Sequence, residues 1–290
     1  MGGYLDIHCH GGGGHAFGGT VEGTLSALDA HRAHGTGAVV CSLVSEPLER
    51  TIAALEIIRA ARSADPAILG AHLEGPFLAP SRKGAHDPDA LAAPRRAVVD
   101  ALIEAGADVV RQITLAPELP GALDAIERFV DVGVVVAVGH TAAGAATVQE
   151  AFDRGATLLT HSFNAMLGIT AREAGPVGAA LADQRVFLEI IADGIHVDLP
   201  LIASVFRAAP GRVVLVTDAI AAAASAPGRY RLGGLDVDVA DGRAVIAGTD
   251  TLAGSTLTMD RAVEVCVAAG VPFEEVLAAA TTTPARALGL

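Results

Sequence analysis

Short, almost wholly apolar runs alternate with alanine-rich amphipathic stretches along this chain. Eight of these runs predict β-strands, at residues 4–9, 38–44, 68–73, 109–115, 134–138, 157–160, 186–191 and 213–216. Strands that are apolar at successive positions are typical of a parallel sheet that is covered on both faces. The stretches between them predict helices from the spacing of their apolar residues, as at residues 51–63, 122–132 and 199–208.

Eight strands, each followed by a helix or a long loop, predict an α/β fold of the (β/α)8 TIM-type barrel class. A doubly wound open sheet is the alternative, because open and closed parallel sheets share the same strand pattern. Residues 225–250 depart from this alternation of strands and helices. They contain two short segments of alternating polar and apolar residues, joined by Gly233-Gly234. This pattern predicts a β-hairpin insertion after strand 8. We expect residues 1–290 to form a single barrel domain that carries this insertion.

Composition and charge narrow the class of protein. Of the 290 residues, 51% are apolar and 18% are charged, so the chain can bury a large core and is not disordered. The net charge of −13 argues against a nucleic-acid partner. The longest apolar runs are far shorter than the roughly 20 residues that span a bilayer. The three cysteines are widely spaced and suit a reducing compartment. We therefore expect a soluble, cytoplasmic protein with no membrane partner.

Histidines and carboxylates stand where the predicted strands end. They are His8 and His10 after the first strand, Glu74 after the third, His140 after the fifth, His161 after the sixth, His196 just past the seventh and Asp218 after the eighth. In a parallel barrel these ends meet at one mouth. Imidazole and carboxylate are ligands of zinc and ferrous iron, and burying so many of them without partners would be costly. The pattern predicts a metal site.

Other polar residues have a plainer interpretation. We expect His15, His31 and His34 to be solvated, and Cys9 to pack on the side of its strand opposite to His8 and His10. His72 either supports the metal ligands or serves as a hydrogen-bond donor in the core, and both interpretations stay open.

The one lysine of the chain, Lys83, follows Glu74 by nine residues and lies in a predicted loop. No lysine is therefore placed at a strand end to bridge two ions as a carbamate, or to form a Schiff base. Glu74 is the natural carboxylate for the bridging position.

The segment Asp6-Ile7-His8-Cys9-His10 resembles the opening metal motif of the amidohydrolase superfamily. Within this superfamily, the chain resembles the N-acetylglucosamine-6-phosphate deacetylase family from about residue 3 to residue 290. Five further segments together carry that resemblance. They are His72-Leu73-Glu74-Gly75-Pro76-Phe77, Gly139-His140-Thr141, His161-Ser162-Phe163-Asn164-Ala165-Met166, Asp193-Gly194-Ile195-His196-Val197 and Leu252-Ala253-Gly254-Ser255.

The resemblance implies metal-dependent hydrolysis of the acetamide of N-acetylglucosamine 6-phosphate, giving glucosamine 6-phosphate and acetate. A metal lowers the pKa of its bound water to about 7, which would supply hydroxide as the nucleophile. The resemblance gives Glu74, His140 and His161 to the principal divalent ion, and His8 and His10 to a second one. Zn²⁺ is the expected ion, with Fe²⁺ or another divalent ion as the alternative.

By the same resemblance, Asp218 is the general base and acid, and His196 helps to polarise the acetyl carbonyl. The planar guanidinium of Arg172 suits phosphate oxygens. The residues implied to contact the sugar phosphate are Ala85, His86, Asn164, Ala165, Arg172, Gly194, His196, Leu252, Ala253 and Gly254.

The family usually adds a small β domain, formed by segments before and after the barrel, and often forms homodimers. Here Met1-Gly2-Gly3 leads directly into the first predicted strand and the sequence stops at Leu290, so we expect that β domain to be absent. Two alternatives remain. One is another amidohydrolase, such as a deaminase or a cyclic-amide hydrolase; the other is an inactive sugar-phosphate-binding protein that lacks the β domain.

Overall fold

The computed structural model describes residues 2–290, and its centre is a barrel of eight parallel strands. The strands are β1 (Tyr4–Cys9), β2 (Thr36–Leu43), β3 (Ile68–Glu74), β4 (Val110–Leu115), β5 (Val135–Val138), β6 (Leu158–Leu159), β7 (Phe187–Ile191) and β8 (Val213–Val216). Each strand pairs in parallel with the next one along the chain. The predicted strand positions differ from these by at most two residues at either end.

The first and last strands meet through side chains and loop backbone. The Asp218 amide donates to the His8 carbonyl oxygen at 2.8 Å, and Thr217 Oγ1 donates to Asp6 Oδ2 at 2.5 Å. A doubly wound sheet would reverse its strand order at a switch point, and this sheet does not. The barrel prediction is therefore confirmed.

Seven helices follow the first seven strands in turn, and three more follow the last strand. They are α1 (Val21–Arg32), α2 (Leu48–Ala64), α3 (Arg96–Gly106), α4 (Ala122–Asp131), α5 (Ala145–Asp153), α6 (Gly175–Ala182), α7 (Leu199–Ala208), α8 (Met259–Ala268), α9 (Phe273–Ala279) and α10 (Thr282–Ala287). In α4 the buried residues Ala122, Ala125, Ile126 and Phe129 recur at helical spacing and form its inner face. Within residues 2–290 the structure contains no helix with the length and apolar character needed to cross a membrane.

The insertion after β8 is a three-stranded antiparallel sheet, formed by β9 (Gly228–Leu232), β10 (Leu235–Ala240) and β11 (Arg243–Ile246). Its apolar face forms a small cluster of its own with the segments that flank it, including Ile220, Val237 and Ala253. The predicted hairpin turn at Gly233-Gly234 is confirmed, because Leu232 pairs with Leu235 across it. The insertion brings residues 250–254 to the mouth of the barrel.

Candidate metal centre

Two groups of potential metal ligands meet at the carboxyl ends of the barrel strands. One contains Glu74, His140 and His161, and the other contains His8, His10, Glu74 and Asp218; within each group the ligand atoms lie within 4.8 Å of one another. All of these side chains are buried. Glu74 belongs to both groups, so its two carboxylate oxygens can serve two adjacent ion positions.

The first group is arranged around one oxygen of Glu74. Glu74 Oε1 lies 3.0 Å from His140 Nε2 and 3.1 Å from His161 Nε2, and the two Nε2 atoms are 3.0 Å apart. The second group is arranged around Asp218 Oδ1, which lies 3.3 Å from His8 Nε2 and 3.2 Å from His10 Nε2. The other oxygen of Glu74 lies 3.2 Å from His10 Nε2.

The hydrogen bonds on the far side of each imidazole show that this donor set fits a cation. His140 Nδ1 is 2.8 Å from the Arg82 carbonyl oxygen, which can only accept a hydrogen bond. The proton of a neutral His140 ring is therefore on Nδ1, and the Nε2 lone pair faces Glu74 and His161. His8 Nδ1 is likewise held by a Glu189 carboxylate oxygen at 2.9 Å, while His8 Nε2 is buried without a hydrogen-bond partner. Lone pairs and carboxylate oxygens that converge in this way are the donor set of a divalent metal.

Charges in the cluster reinforce one another. Burial raises the pKa of Glu74, but His8, His10, His140 and His161 around it hold that pKa well below its usual range. Burial also raises the pKa of Asp218, and His8 and His10 outweigh it, so this pKa is lowered as well. Burial lowers the pKa of His10, but Asp218 and Glu74 raise it to about 9. Both carboxylates are therefore ionised near neutral pH, as a metal ligand must be.

Glu189 supports both groups and was not predicted from the sequence. Its Oε2 atom accepts from His8 Nδ1 at 2.9 Å and from the His161 amide at 3.2 Å, while Gln112 Nε2 donates to its Oε1 atom at 2.9 Å. Such a carboxylate fixes the tautomer and the ring orientation of a ligating histidine. Its signal in the sequence was a single acid inside the apolar run 186–191.

Asp6 plays the corresponding part beneath Asp218. Its Oδ1 atom accepts from the amides of His8 and Thr217 at 3.2 and 3.3 Å, and its Oδ2 atom accepts from Thr217 Oγ1. Burial raises the pKa of Asp6, and its hydrogen bond with Thr217 is the largest effect that opposes the shift. These contacts hold the turn that carries Asp218 against the end of β1.

The backbone is strained where the ligands leave their strands. His140, His161 and Asp218 have φ angles of 47°, 25° and 50°. Residues other than glycine rarely adopt this region, at a cost of about 1–3 kcal/mol each. Gly139, next to His140, packs so closely that a Cβ would lie 2.7 Å from the side chains of Thr114 and Thr160. The strain coincides with the turns that aim the ligands at the metal centre.

The structure gives different outcomes for the five residues with a plainer interpretation. His72 is a fully buried core group, with Nδ1 2.9 Å from Ser42 Oγ and Nε2 2.8 Å from Thr114 Oγ1, and its ring packs against His8. Cys9 points away from the ligands towards α1, where its Sγ atom lies 3.2 Å from His31 Nε2. The solvated position predicted for His31 is therefore wrong, because α1 packs this ring against β1 with no exposed surface. His15 is exposed and His34 is half-exposed.

Above the metal ligands lies a cavity of about 460 Å³. The predicted site residues among those that line it are His10, Glu74, Ala85, His86, His140, His161, Asn164, Ala165, His196, Asp218, Leu252 and Gly254. His86 Nε2 approaches Glu74 Oε2 to 3.3 Å, and burial lowers the pKa of His86 to about 4. The sequence thus gathers residues from seven separate strand ends and loops at one cavity.

Three predicted substrate contacts are not among the residues that line the cavity. Arg172 and Gly194 are exposed, and Ala253 is fully buried between two residues that do line it, Leu252 and Gly254. Their contacts with a sugar phosphate stay predictions. Conversely, Arg82 and Asp250 line the cavity and were not singled out in the sequence.

His196 stands at the edge of the cavity, and Asp193 orients it. Asp193 Oδ2 lies 2.7 Å from His196 Nδ1, and Asp193 Oδ1 accepts from the amides of Ile195 and His196 at 2.8 Å. Burial raises the pKa of Asp193, but His196 and these amides lower it overall. The ring therefore has Nε2 as its free nitrogen, available to a bound molecule.

In this (β/α)8 barrel, imidazoles and carboxylates at the strand ends converge beneath a cavity. These are the features of a metal-dependent hydrolase. The chain belongs to the amidohydrolase family, whose model matches residues 1–290.

Relatives and solved structures narrow the class of amidohydrolase that this chain resembles. The N-acetylgalactosamine-6-phosphate deacetylase of Escherichia coli O157:H7 is 40% identical over 292 residues, which cover 99% of this chain and 77% of the relative. The N-acetylglucosamine-6-phosphate deacetylase of Bos taurus is 39% identical over 306 residues, which cover 99% of this chain and 74% of the relative. A structure of the N-acetyl-D-glucosamine-6-phosphate deacetylase from Mycobacterium smegmatis, with that sugar phosphate bound, matches with a TM-score of 0.95 and 43% identity. The match covers 100% of this chain and 78% of the chain in that structure.

Proposed function

We propose that this chain is a metal-dependent deacetylase that hydrolyses the acetamide of N-acetylglucosamine 6-phosphate to glucosamine 6-phosphate and acetate. The observation that carries the proposal is the two-sided ligand set around Glu74, buried beneath a cavity large enough for a small molecule. The activities for which the Bos taurus and Mycobacterium smegmatis relatives are named support this substrate. The Escherichia coli relative supports the galactosamine epimer as a second substrate to be assayed.

A divalent ion held by Glu74, His140 and His161 would supply Lewis acidity, which activates water and polarises the acetyl carbonyl. Asp218 lies at the floor of the cavity as an ionised carboxylate, so it can accept a proton from the attacking water. It then delivers that proton to the nitrogen as the C–N bond breaks, because an amine is a poor leaving group as an anion. His196, oriented by Asp193, lies at the edge of the same cavity and can stabilise the oxyanion as it forms.

We propose Zn²⁺ as the ion, with Fe²⁺ as the alternative and a second ion at His8 and His10. The mixed imidazole and carboxylate set supports either metal. Metal analysis of the purified protein gives the identity and the number of ions per chain. One ion per chain, lost on His140→Ala but retained on His10→Ala, would contradict the second site.

The direct test is acetate release from N-acetylglucosamine 6-phosphate, its galactosamine epimer and unphosphorylated N-acetylglucosamine. We expect activity on the phosphorylated sugars that a chelator removes and the added metal restores. Equal rates with and without the phosphate would contradict recognition of a sugar phosphate. Deamination, or opening of a cyclic amide, without acetate release would favour another amidohydrolase activity instead. Binding of the sugar phosphate without turnover would identify an inactive binding protein.

Arg172 has a separate test. If this arginine contacts the phosphate, Arg172→Ala should raise KM and leave kcat unchanged, because a contact made equally in the ground and transition states has been removed. Arg207, exposed on α7, is a matched control for the loss of one surface charge. An unchanged KM for Arg172→Ala would remove Arg172 from the substrate site.

We also propose a cytoplasmic enzyme that forms homodimers. The three cysteines are free and buried, which supports a reducing compartment. Light scattering of the purified chain gives its oligomeric state, and a monomer at assay concentration would contradict the dimer.

A further inference from the structure

The turn that follows His140 is held by a carboxylate that lies outside the metal centre. Glu118 Oε2 accepts from Thr141 Oγ1, and Glu118 Oε1 accepts from the Ala142 amide, both at 2.6 Å. The Thr141 hydroxyl accepts in turn from the Ala143 amide at 2.9 Å. Both oxygens of Glu118 are therefore bonded to the residues directly after a predicted metal ligand.

Glu118 is carried by a rigid part of the loop after β4. Pro117 precedes it and Pro120 follows two residues later, and the ring of each proline fixes its own φ angle. At the start of the same loop, the Ala116 amide donates to the Phe77 carbonyl oxygen at 2.8 Å, which ties it to the loop after β3. The carboxylate can therefore hold the neighbouring turn from a fixed position.

The contacts of Glu118 are not those of a surface ion pair. Within residues 2–290 its carboxylate is bonded to the turn after His140 and forms no ion pair. Arg154 lines the same surface groove as Glu118, but its guanidinium pairs with Glu127 at 2.9 Å. The position of Glu118 is thus explained by the turn that it holds.

This turn needs support because its backbone is strained. The φ angle of His140 is 47°, a conformation that persists in residues other than glycine only when the surroundings hold it. The carbonyl oxygen of His140 accepts from the Ala79 amide at 3.0 Å, and the Thr141 amide donates to the Ala165 carbonyl oxygen at 3.2 Å. Glu118 adds two charge-assisted hydrogen bonds, which are about twice as strong as bonds between neutral groups.

We propose that Glu118 is a positioning residue of the metal centre. By holding the turn after His140, it keeps His140 Nε2 directed at the ion position that this histidine shares with Glu74 and His161. Glu118 is not among the residues that line the cavity, so it acts on the centre only through the backbone of His140. This inference rests on the proposed function, since it takes His140 as a ligand of the principal ion.

Titration of the apoprotein with Zn²⁺ against a competing chelator tests the role of Glu118 without any turnover. For Glu118→Ala we expect the affinity for the principal ion to fall about 10- to 100-fold, the usual effect of altering a group that orients a ligating histidine. Thr141→Val should cause part of this loss, because it removes one of the two hydrogen bonds. Since both substitutions remove that same bond, the double variant should lose less than the product of the two single losses. The visible absorption of the Co²⁺-loaded protein, which depends on coordination geometry, should change in Glu118→Ala.

Glu173→Ala is the matched control. Glu173 Oε1 also accepts from two backbone amides, those of Ala145 and Gly175 at the starts of α5 and α6, each at 2.9 Å. It holds the same connection five residues beyond His140. Its loss should therefore lower the stability of the apoprotein in urea, as Glu118→Ala does, and leave the Zn²⁺ affinity unchanged.

Equal Zn²⁺ affinity in Glu118→Ala and the unaltered chain would overturn the assignment. The same loss of affinity in Glu173→Ala would also overturn it, because it would indicate a general loosening of the loops. Glu118→Gln, which keeps one acceptor oxygen, should lose less affinity, and it takes the place of Glu118→Ala in the comparison if that variant does not fold. If the unaltered chain binds Zn²⁺ but releases no acetate from any sugar, the proposed function fails, and the affinities still decide the role of Glu118. An unaltered chain that binds no Zn²⁺ would overturn both.

Discussion

Alternate residues of the same barrel strands have opposite chemistry. The residues that face the barrel interior near its mouth include Asp6, His8, Ser42, His72, Gln112, Thr114 and Glu189, all buried, and they hydrogen-bond or pair with one another. Their neighbours in sequence, Leu5, Ile7, Ile113, Leu188 and Ile190, face the helices and belong to the main apolar core. Period-two alternation of the strand places the two sets on opposite sides of the sheet.

The difference shows that the two faces are stabilised in different ways. The outer face gains free energy by removing apolar surface from water, at roughly 25 cal/mol per Å². The inner polar groups cost free energy on burial unless each finds a partner, so the chain Ser42–His72–Thr114–Thr160 has to be complete. The inner face is therefore organised around the metal centre, and the outer face around packing. Substitutions on one face therefore test whether the other face responds.

The largest effect should come from Asp218→Asn on the inner face. Asparagine keeps the shape of the side chain but cannot accept the proton, so kcat should fall by about 10²–10⁴, the usual contribution of general acid–base catalysis. The content of the principal ion should stay near the wild-type level, because Glu74, His140 and His161 are intact. Acetate release and metal analysis on the same preparation measure both. Loss of the metal would instead identify Asp218 as an essential ligand.

Phe129→Ala removes a side chain from the apolar core that covers the outer face of the barrel, so it should lower stability and leave catalysis unchanged. Phe129 is 1% exposed on α4 and lies in the main core, so removing its ring should cost about 3–5 kcal/mol of unfolding free energy. The folded fraction should keep its kcat. Urea unfolding and the acetate assay give the two quantities. Val130→Ala is the matched control on the same helix, because Val130 is 37% exposed and should change stability by no more than about 0.5 kcal/mol. A fall in kcat for Phe129→Ala would show that the two faces are coupled.

The sequence predicted the residues that interrupt an apolar pattern and missed those whose position depends on distant contacts. The strand ends at His8, Glu74 and Asp218 were visible because polar groups stand at the borders of apolar runs. The burial of His31 was not predicted, although Ala27, Leu28 and His31 share one face of α1, because a histidine alone does not show which face packs.

Loops explain the remaining differences between sequence and structure. The path of a loop is set by the scaffold and by long-range bonds. In Arg82 the deciding bond joins its carbonyl oxygen to a ring 58 residues further along the chain. Arg172 lies in a loop, so the family resemblance gave it a role but no position, and it is not among the residues that line the cavity.

The smallest effect is expected at a residue that is neither one of the predicted metal ligands nor part of the apolar core. Glu189 accepts three hydrogen bonds with its two oxygens, from His8 Nδ1, the His161 amide and Gln112 Nε2. In Glu189→Gln one of these oxygens becomes an NH₂ group, which cannot accept, so at least one donor loses its partner. We expect metal affinity to fall about 10- to 100-fold, the usual effect of altering a group that orients a ligating histidine.

Titration of the apoprotein with Zn²⁺ against a competing chelator measures this affinity without any turnover. Ile190→Val is the matched control, since Ile190 is the next residue of β7 and faces the helices. It should cost about 0.5–1.5 kcal/mol of stability and leave the metal affinity unchanged. If Glu189→Gln bound the metal as tightly as the unaltered chain, packing of the His8 ring against His10, His72 and His161 would suffice to hold it in place.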